Sequence, residues 1–292
     1  MAISFSFLTS LFQKRYPGTQ LNLSFQPVGG GSINTTLNVK LRDKYCFCKV
    51  NSVKDFPMLF SYEQLGLETL GKHSIFKVPE IYDCFEEEDF QILLMEWIDP
   101  GERTPRFWQS FGQQLARLHS VSNTHFGLHH NNYMGSVPQL NSFSTNWNEF
   151  FSNQRLVPLI DKCLPNNLLS SKNVKQFEKL INYLPEIFGN HTAPSLLHGD
   201  LWSGNFICDK HSTPVLIDPA VYYGHPSVDL GMTTLFGGFS SDFYEAYQSV
   251  TPFPKNYEEQ WAICNLYPLL IHLLLFGKSY LHAIESNLEK YY

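Results

Sequence analysis

The residues with the clearest chemical potential lie in the run His198-Gly199-Asp200-Leu201-Trp202-Ser203-Gly204-Asn205. Four residues separate Asp200 from Asn205, which is the spacing of a phosphoryl-transfer loop. In such a loop the carboxylate accepts or orients the proton of a hydroxyl that attacks a γ-phosphate, and the Asn reaches back to a metal ion. Asp200 is therefore the candidate base, Asn205 a candidate metal ligand, and His198 a brace behind the loop. The bland alternative is a polar surface turn. A second signal follows in Val215-Leu216-Ile217-Asp218-Pro219, where an apolar strand delivers a carboxylate eighteen residues after Asp200. A hard cation such as Mg²⁺ prefers carboxylate oxygen, so Asp218 is the second candidate ligand.

Two weaker signals lie upstream. Gly29-Gly30-Gly31-Ser32-Ile33-Asn34 sits between two strand-like segments, and the backbone N–H groups of such a turn can cover phosphates. Lys49 stands in the apolar run Phe47-Cys48-Lys49-Val50, where a cation is costly unless paired. Glu63, on the helix predicted next, is the preferred partner over Glu68. The alternative for Lys49 is an edge-strand residue with its head in water. Glycine turn, strand Lys, helix Glu, Asp-x4-Asn and strand-end Asp occur in the order that ATP-dependent phosphoryl transfer requires.

The elements that must position these residues are legible in outline. Residues 19–50 alternate as strands, from Gln20 to Val28, Ile33 to Leu41 and Tyr45 to Val50, with Arg42-Asp43-Lys44 as the second turn. A helix is expected next, capped by Asp55, with Pro57 in its first turn and a stripe of Leu59, Tyr62, Leu65, Leu67 and Leu70. Val78 to Phe85 and Phe90 to Met95 are two further strands, separated by Glu86-Glu87-Glu88-Asp89. Glu96 to Gly101 has linker chemistry. From Thr104-Pro105 onward the period becomes helical, with Phe107, Phe111, Leu115 and Leu118 on one face. Further helices are predicted at 145–163, 172–188, 240–250 and 256–288. The expectation is an α+β, bilobal, protein-kinase-like fold, with a small β-rich ATP-binding lobe over 1–98 and a larger, mainly helical catalytic and substrate lobe over 99–292.

The chain has 292 residues, 43% hydrophobic and 15% aromatic, which is enough apolar surface for a large core and speaks against disorder. The net charge of −6, with Lys and Arg thinly spread, gives no basic footprint for nucleic acid. The six cysteines are scattered through apolar segments and read as reduced, mostly buried thiols. Cys46 and Cys48 would share a strand face, but no second pair with ligand spacing completes a metal-thiolate site. Met1 to Phe12 reads as a short amphipathic helix, because Lys14 and Arg15 follow the apolar stretch where a secretory leader has its charges first. Leu266 to Phe276 is too short to span a bilayer, carries His272, and reads as a buried core helix. A soluble cytoplasmic protein with no membrane or nucleic-acid partner is expected.

With these residues in view, the sequence resembles the fructosamine/ketosamine kinases, within the aminoglycoside- and choline-kinase-like branch of the kinase fold. The resemblance covers essentially the whole chain. It is carried by Leu197 to Asn205, by Ile217-Asp218-Pro219-Ala220-Val221-Tyr222-Tyr223-Gly224-His225, by Asp229-Leu230, by Leu235 to Phe239 and by Phe243 to Tyr247. Asn132-Tyr133-Met134-Gly135, leading to Gln139 and Asn141, belongs to it too. The resemblance implies ATP- and Mg²⁺-dependent phosphorylation of a ketosamine, free or protein-bound, at its C3 hydroxyl. The product then breaks down and releases the amine.

It implies that Asp200 is the base, Asn205 and Asp218 the Mg²⁺ ligands, and Lys49 with Glu63 the phosphate-holding pair. The turn Gly29, Gly30, Gly31 and Ser32 would cover the nucleotide, with Met95 lining the adenine pocket and Glu96 and Ile98 offering backbone groups. Trp202, Tyr222 and His198 are assigned to the substrate side, Trp202 as a wall for the sugar. The two aromatics are equally readable as core, and His225 and Asp229 as loop supports. Ser32 stands where many members have Cys, and Ser227 where many have Glu. The rival readings are another small-molecule kinase of the aminoglycoside or choline type, and a catalytically inactive kinase-like binding module. A protein-serine kinase is disfavoured by the lack of an Ala-Pro-Glu-like segment after Asp218.

Overall fold

The computed structural model describes residues 4–17, 23–29, 33–41, 44–73, 75–189 and 193–291. Helix α1 (Phe5–Arg15) is followed by strands β1 (Leu23–Pro27), β2 (Thr35–Leu41) and β3 (Lys44–Ser52). Helix α2 (Leu59–Lys72) and strands β4 (Ile81–Glu87) and β5 (Phe90–Glu96) complete a five-stranded antiparallel sheet of order β1-β2-β3-β5-β4.

The alternation of side chains along a strand explains what each sheet face does. Cys46, Cys48 and Val50 of β3, with Ile92 and Leu94 of β5, pack under Leu8, Leu11 and Phe12 of α1. Leu93 and Met95 turn the other way and meet Leu59 and Phe60 of α2. Lys49 is one residue out of register with the cysteines and so belongs to the α2 side. The cysteine pair is thereby used up in packing.

Helix α2 differs from expectation at its start. Met58, in the left-handed region at φ 62°, precedes the helix, and neither Asp55 nor Pro57 caps it. The buried Gln91 of β5 does the capping instead, accepting the Phe60 N–H at 2.9 Å while its own amide donates to Ser52 O. The expected stripe is also shifted. Leu65 is exposed and Gly66 is buried, where a Cβ would lie 3.1 Å from the Pro219 side chain.

Helix α3 (Pro105–His119) opens as expected, with the Thr104 hydroxyl accepting from Phe107 N–H at 3.2 Å. A short hairpin, β6 (Asn132–Met134) and β7 (Val137–Gln139), comes next. Then α4 (Trp147–Phe151), a π-helical turn over Ser152–Leu156 and α5 (Val157–Cys163) run without a break, followed by α6 (Ser171–Phe188). Strands β8 (Ser195–Leu197), β9 (Phe206–Cys208), β10 (Pro214–Leu216) and β11 (Tyr222–Gly224) form two antiparallel pairs, β8 with β11 and β9 with β10. Helices α7 (Ser227–Leu235), α8 (Ser241–Val250), α9 (Tyr257–Cys264), α10 (Leu266–Phe276) and α11 (Leu281–Leu288) finish the chain. The single helix expected over 256–288 is broken at Asn265, whose side chain donates to Gly231 O, and at Gly277 with φ 84°. Among the described residues no helix is long and apolar enough to cross a membrane.

His225 is buried after β11, with its ring against Phe188 at 5.0 Å and Trp147 at 5.7 Å, and its Nδ1 accepts the Ser227 N–H. Burial pushes its pKa down to about 3, and His119 adds to the effect. The unfolded chain would protonate this ring first, near pH 6.5, so its share of stability is present above that pH and is lost as pH falls toward 3. Lowering the pH from 6.5 to 5 should therefore cost roughly 2 kcal/mol through this residue alone. In thermal melts His225→Asn, which keeps the acceptor and cannot protonate, should lose less stability over that range than the unsubstituted protein.

Candidate active site

The loop after β8 is held from beneath. Asp229, fully buried in the first turn of α7, accepts the backbone N–H groups of His198 and Gly199, each at 2.8 Å. It also accepts from His119 Nε2 at 3.2 Å. With that nitrogen donating, His119 Nδ1 is the acceptor for the Tyr247 hydroxyl at 2.9 Å. Gly199 has φ +86°, and a Cβ there would lie 2.0 Å from Ala220 O, so only glycine fits. His198 is fully buried. Its Nε2 donates to Ile217 O at 2.9 Å, which leaves Nδ1 to accept the Asp200 N–H at 3.2 Å.

Asp200 and Asn205 meet directly. The Asn205 amide nitrogen donates to both the backbone oxygen and Oδ2 of Asp200, at 2.8 and 2.9 Å. Burial pushes the Asp200 carboxyl up to about 7, against that hydrogen bond, and the charges of Asp218 and Asp229 push the same way. A carboxylate so poised is an effective proton acceptor near neutral pH.

Asp218 adopts φ 53° at the end of the β10 segment, and its carboxylate contacts the Lys49 ammonium. Lys49, 2% exposed, also donates to Glu63 Oε1 of α2 at 2.7 Å. Burial works against the ammonium, but Asp218 and Glu63 outweigh it and hold Lys49 above its ordinary range. Glu68 pairs instead with Gln64 on the exposed side of α2.

Lys49, Glu63, Asp200, Asn205 and Asp218 all line one cavity of about 220 Å³. Trp202, packed against Phe236, lines it too, with Tyr62 of α2 and with Tyr133, Met134 and Gly135 of the β6–β7 hairpin. Ile271, His272, Leu275 and Phe276 of α10 complete the lining.

The remaining residues that the sequence pointed to are placed differently. His198 and Tyr222 do not reach this cavity, because both are fully buried. His198 is a backbone brace, and Tyr222 lies beneath the Arg155 guanidinium, 4.1 Å from its ring centre. Met95, Glu96 and Ile98 also lie outside the cavity lining. Met95 is core on the α2 side of the sheet, and the Glu96 side chain accepts from Glu80 N–H and pairs with Lys77 at 3.4 Å. Gly29 is an exposed bend after β1, whereas Gly30, Gly31 and Ser32 lie outside the described residues.

Two parts of the lining are not evident from the sequence. Helix α10 is apolar on every side, so its period does not reveal that its C-terminal turn faces a cavity. His272 within the apolar run is the available signal. Tyr62 reads in the sequence only as part of a core stripe.

A family model described as fructosamine kinase matches residues 8–292. The chain belongs to the fructosamine kinase family. Over 285 residues it is 36% identical to a protein of Lactiplantibacillus plantarum named "Probable ketoamine kinase", covering 97% of this chain and 99% of the relative. It is 35% identical to the chloroplastic protein-ribulosamine 3-kinase of Arabidopsis thaliana, covering 90% of this chain and 81% of that one. A solved structure from Thermobifida fusca, described as a "putative fructosamine-3-kinase", superposes with a TM-score of 0.84 at 30% identity, covering 93% and 94% of the two chains. An aminoglycoside phosphotransferase superposes with a TM-score of 0.67 at 11% identity, covering 98% and 99%. That second likeness is one of fold, and it makes this chain protein-kinase-like in architecture.

The loop that carries Asp200 hangs on Asp229. Asp229→Asn turns one of three acceptor contacts into a donor facing a donor. It should destabilise the protein by about 2–4 kcal/mol in urea titrations and lower turnover with it.

Proposed function

We propose that this protein transfers the γ-phosphoryl group of ATP to the C3 hydroxyl of a ketosamine, small or protein-bound, such as a fructosamine or ribulosamine. The phosphorylated adduct then breaks down and releases the amine. The observation that carries this reading is the convergence of Lys49, Glu63, Asp218, Asp200 and Asn205 on a single cavity, in a chain of the fructosamine kinase family.

Asp200 holds the attacking hydroxyl and takes its proton. The upward push on its carboxyl and its tether to Asn205 suit that role. Lys49, oriented by Glu63, meets the phosphates. Asp218 and the amide oxygen of Asn205 are the oxygen donors for Mg²⁺. They fit such an ion. Among the described residues no group of three His, Cys, Asp or Glu forms a self-sufficient cage, and Mg²⁺ with a nucleotide needs only one or two protein carboxylates. When bound, the ion neutralises charge that builds on the phosphoryl oxygens. Lys49 supplies the protein's own share of that stabilisation, and placement accounts for most of the rest.

The division into a nucleotide lobe over 1–98 and a catalytic lobe over 99–292 accords with the sheet ending at Glu96 and the helices beginning at Pro105. The Gly29–Ser32 turn would cover the nucleotide, and Met95, Glu96 and Ile98 would meet adenine along the β5 end. Trp202 and the β6–β7 hairpin hold the sugar. All six cysteines are free thiols, in keeping with a cytoplasmic enzyme. An aminoglycoside-type substrate is less well served, since a polycation calls for spare carboxylates, and the acids that line the cavity, Glu63, Asp200 and Asp218, already have the roles given above.

The decisive assay is ATP consumption with a panel of ketosamines, amino sugars and amino alcohols. Fructose- or ribulose-lysine should be turned over. Asp200→Asn should lower kcat by about 10²–10⁴-fold while still binding ATP. Inert ketosamines beside an active amino alcohol or amino sugar would overturn the substrate assignment.

A further inference from the structure

Arg155 lies on the π-helical turn Ser152–Leu156 and is fully buried. Among the described residues it has no carboxylate within ion-pairing distance. A buried, unpaired guanidinium is expensive, and an apolar side chain of similar length would be cheaper. The cost is partly offset by the ring faces of Tyr222, Phe150 and Tyr267, at 4.1, 4.7 and 5.3 Å.

What Arg155 adds is direction. A guanidinium only donates. Its Nη1 donates to the Leu140 and Gln154 carbonyls, and its Nη2 to Asn141 Oδ1 at 2.8 Å. Asn141 must therefore turn its nitrogen away, and that nitrogen donates to Asn132 Oδ1 at 2.9 Å and His130 O at 3.1 Å. Gln139 donates to the same Asn132 oxygen at 2.9 Å and to Ala220 O at 3.1 Å, while its own oxygen accepts from the Tyr267 hydroxyl. With its oxygen doubly engaged, Asn132 points its nitrogen at Val221 O, 2.9 Å away. Ala220 in turn donates from its backbone to His198 O at 2.9 Å.

One buried cation thus fixes the polarity of three amide side chains. Those amides fasten the β6–β7 hairpin to the carbonyls just after Asp218, and Tyr133, Met134 and Gly135 of that hairpin line the same cavity as Asp200. We propose that Arg155 is a positioning residue for the reaction, seating the hairpin wall over Asp200 and Asp218 and so governing how tightly the ketosamine is held. This rests on the ketosamine kinase reading above.

Asn141→Asp separates positioning from plain stability. It gives Arg155 a counterion and keeps its acceptor, but it removes the donor that orients Asn132, which would swing round and leave Val221 O unpaired. The expected result is a folded protein whose ketosamine KM is raised about tenfold or more while its ATP KM stays within about twofold. Amide hydrogen exchange over 132–139 should also be faster. Arg155→Met should give the same KM split. Unchanged ketosamine KM and unchanged exchange over 132–139 in Asn141→Asp, or in Arg155→Met should the former not fold, would overturn the proposal. If the unsubstituted protein turns over no ketosamine, the function reading fails by itself and the exchange of 132–139 alone decides. Faster exchange then supports the seating role and unchanged exchange ends it.

Discussion

The site depends on one buried cation held between two carboxylates. Lys49 comes from the sheet, Glu63 from helix α2 and Asp218 from the segment after β10; the Lys49 ammonium is almost fully buried, while Asp218 keeps an open side. Removing an ammonium from water is costly, so the arrangement is stable only when both partners are present. That requirement fixes the rotation of α2, the phase of β3 and the distance between the sheet and the helical part of the chain. Gly66 serves the same constraint from the packing side. The lack of a side chain there lets α2 lie against Pro219, next to Asp218.

A second constraint acts on the backbone. The loop that carries Asp200 has little freedom of its own. Asp229 takes two of its N–H groups, His198 ties it to Ile217, and Gly199 allows it to pass within contact of Ala220. These are contacts to main-chain atoms, so they locate Asp200 without competing for its carboxylate. The buried amides Asn132, Gln139 and Asn141 extend the same principle to the cavity wall, because each is oriented by the donors and acceptors around it.

The wall and the Lys49 triad are also joined on the far side. Tyr62, one residue before Glu63, stacks on His130 with ring centres 5.0 Å apart and planes 7° apart, and the Tyr133 hydroxyl donates to Pro57 O. The helix that carries Glu63 therefore touches the β6–β7 hairpin and the segment just before it.

Much of the site was readable in the linear chain. The Asp-x4-Asn spacing, the strand-end Asp218 and a Lys in an apolar strand are local patterns, each set by a chemical need that recurs in sequence. Strand alternation put Cys46 and Cys48 on one face, as observed, and the choice of Glu63 over Glu68 agrees with the observed pairing. The cap of α2 was not readable, because its acceptor is Gln91, thirty-one residues from Phe60. Nor was the burial of His198 and Tyr222, or the turn of α10 toward the cavity. An all-apolar helix carries no period to say which side is covered, and a motif says which residues are near one another in the chain but not which face inward. The sequence by itself determined the reaction chemistry and the order of the parts. Only the tertiary structure decided which side chains line the cavity and which merely hold it, because long-range hydrogen bonds and burial depend on neighbours that the chain brings together only on folding.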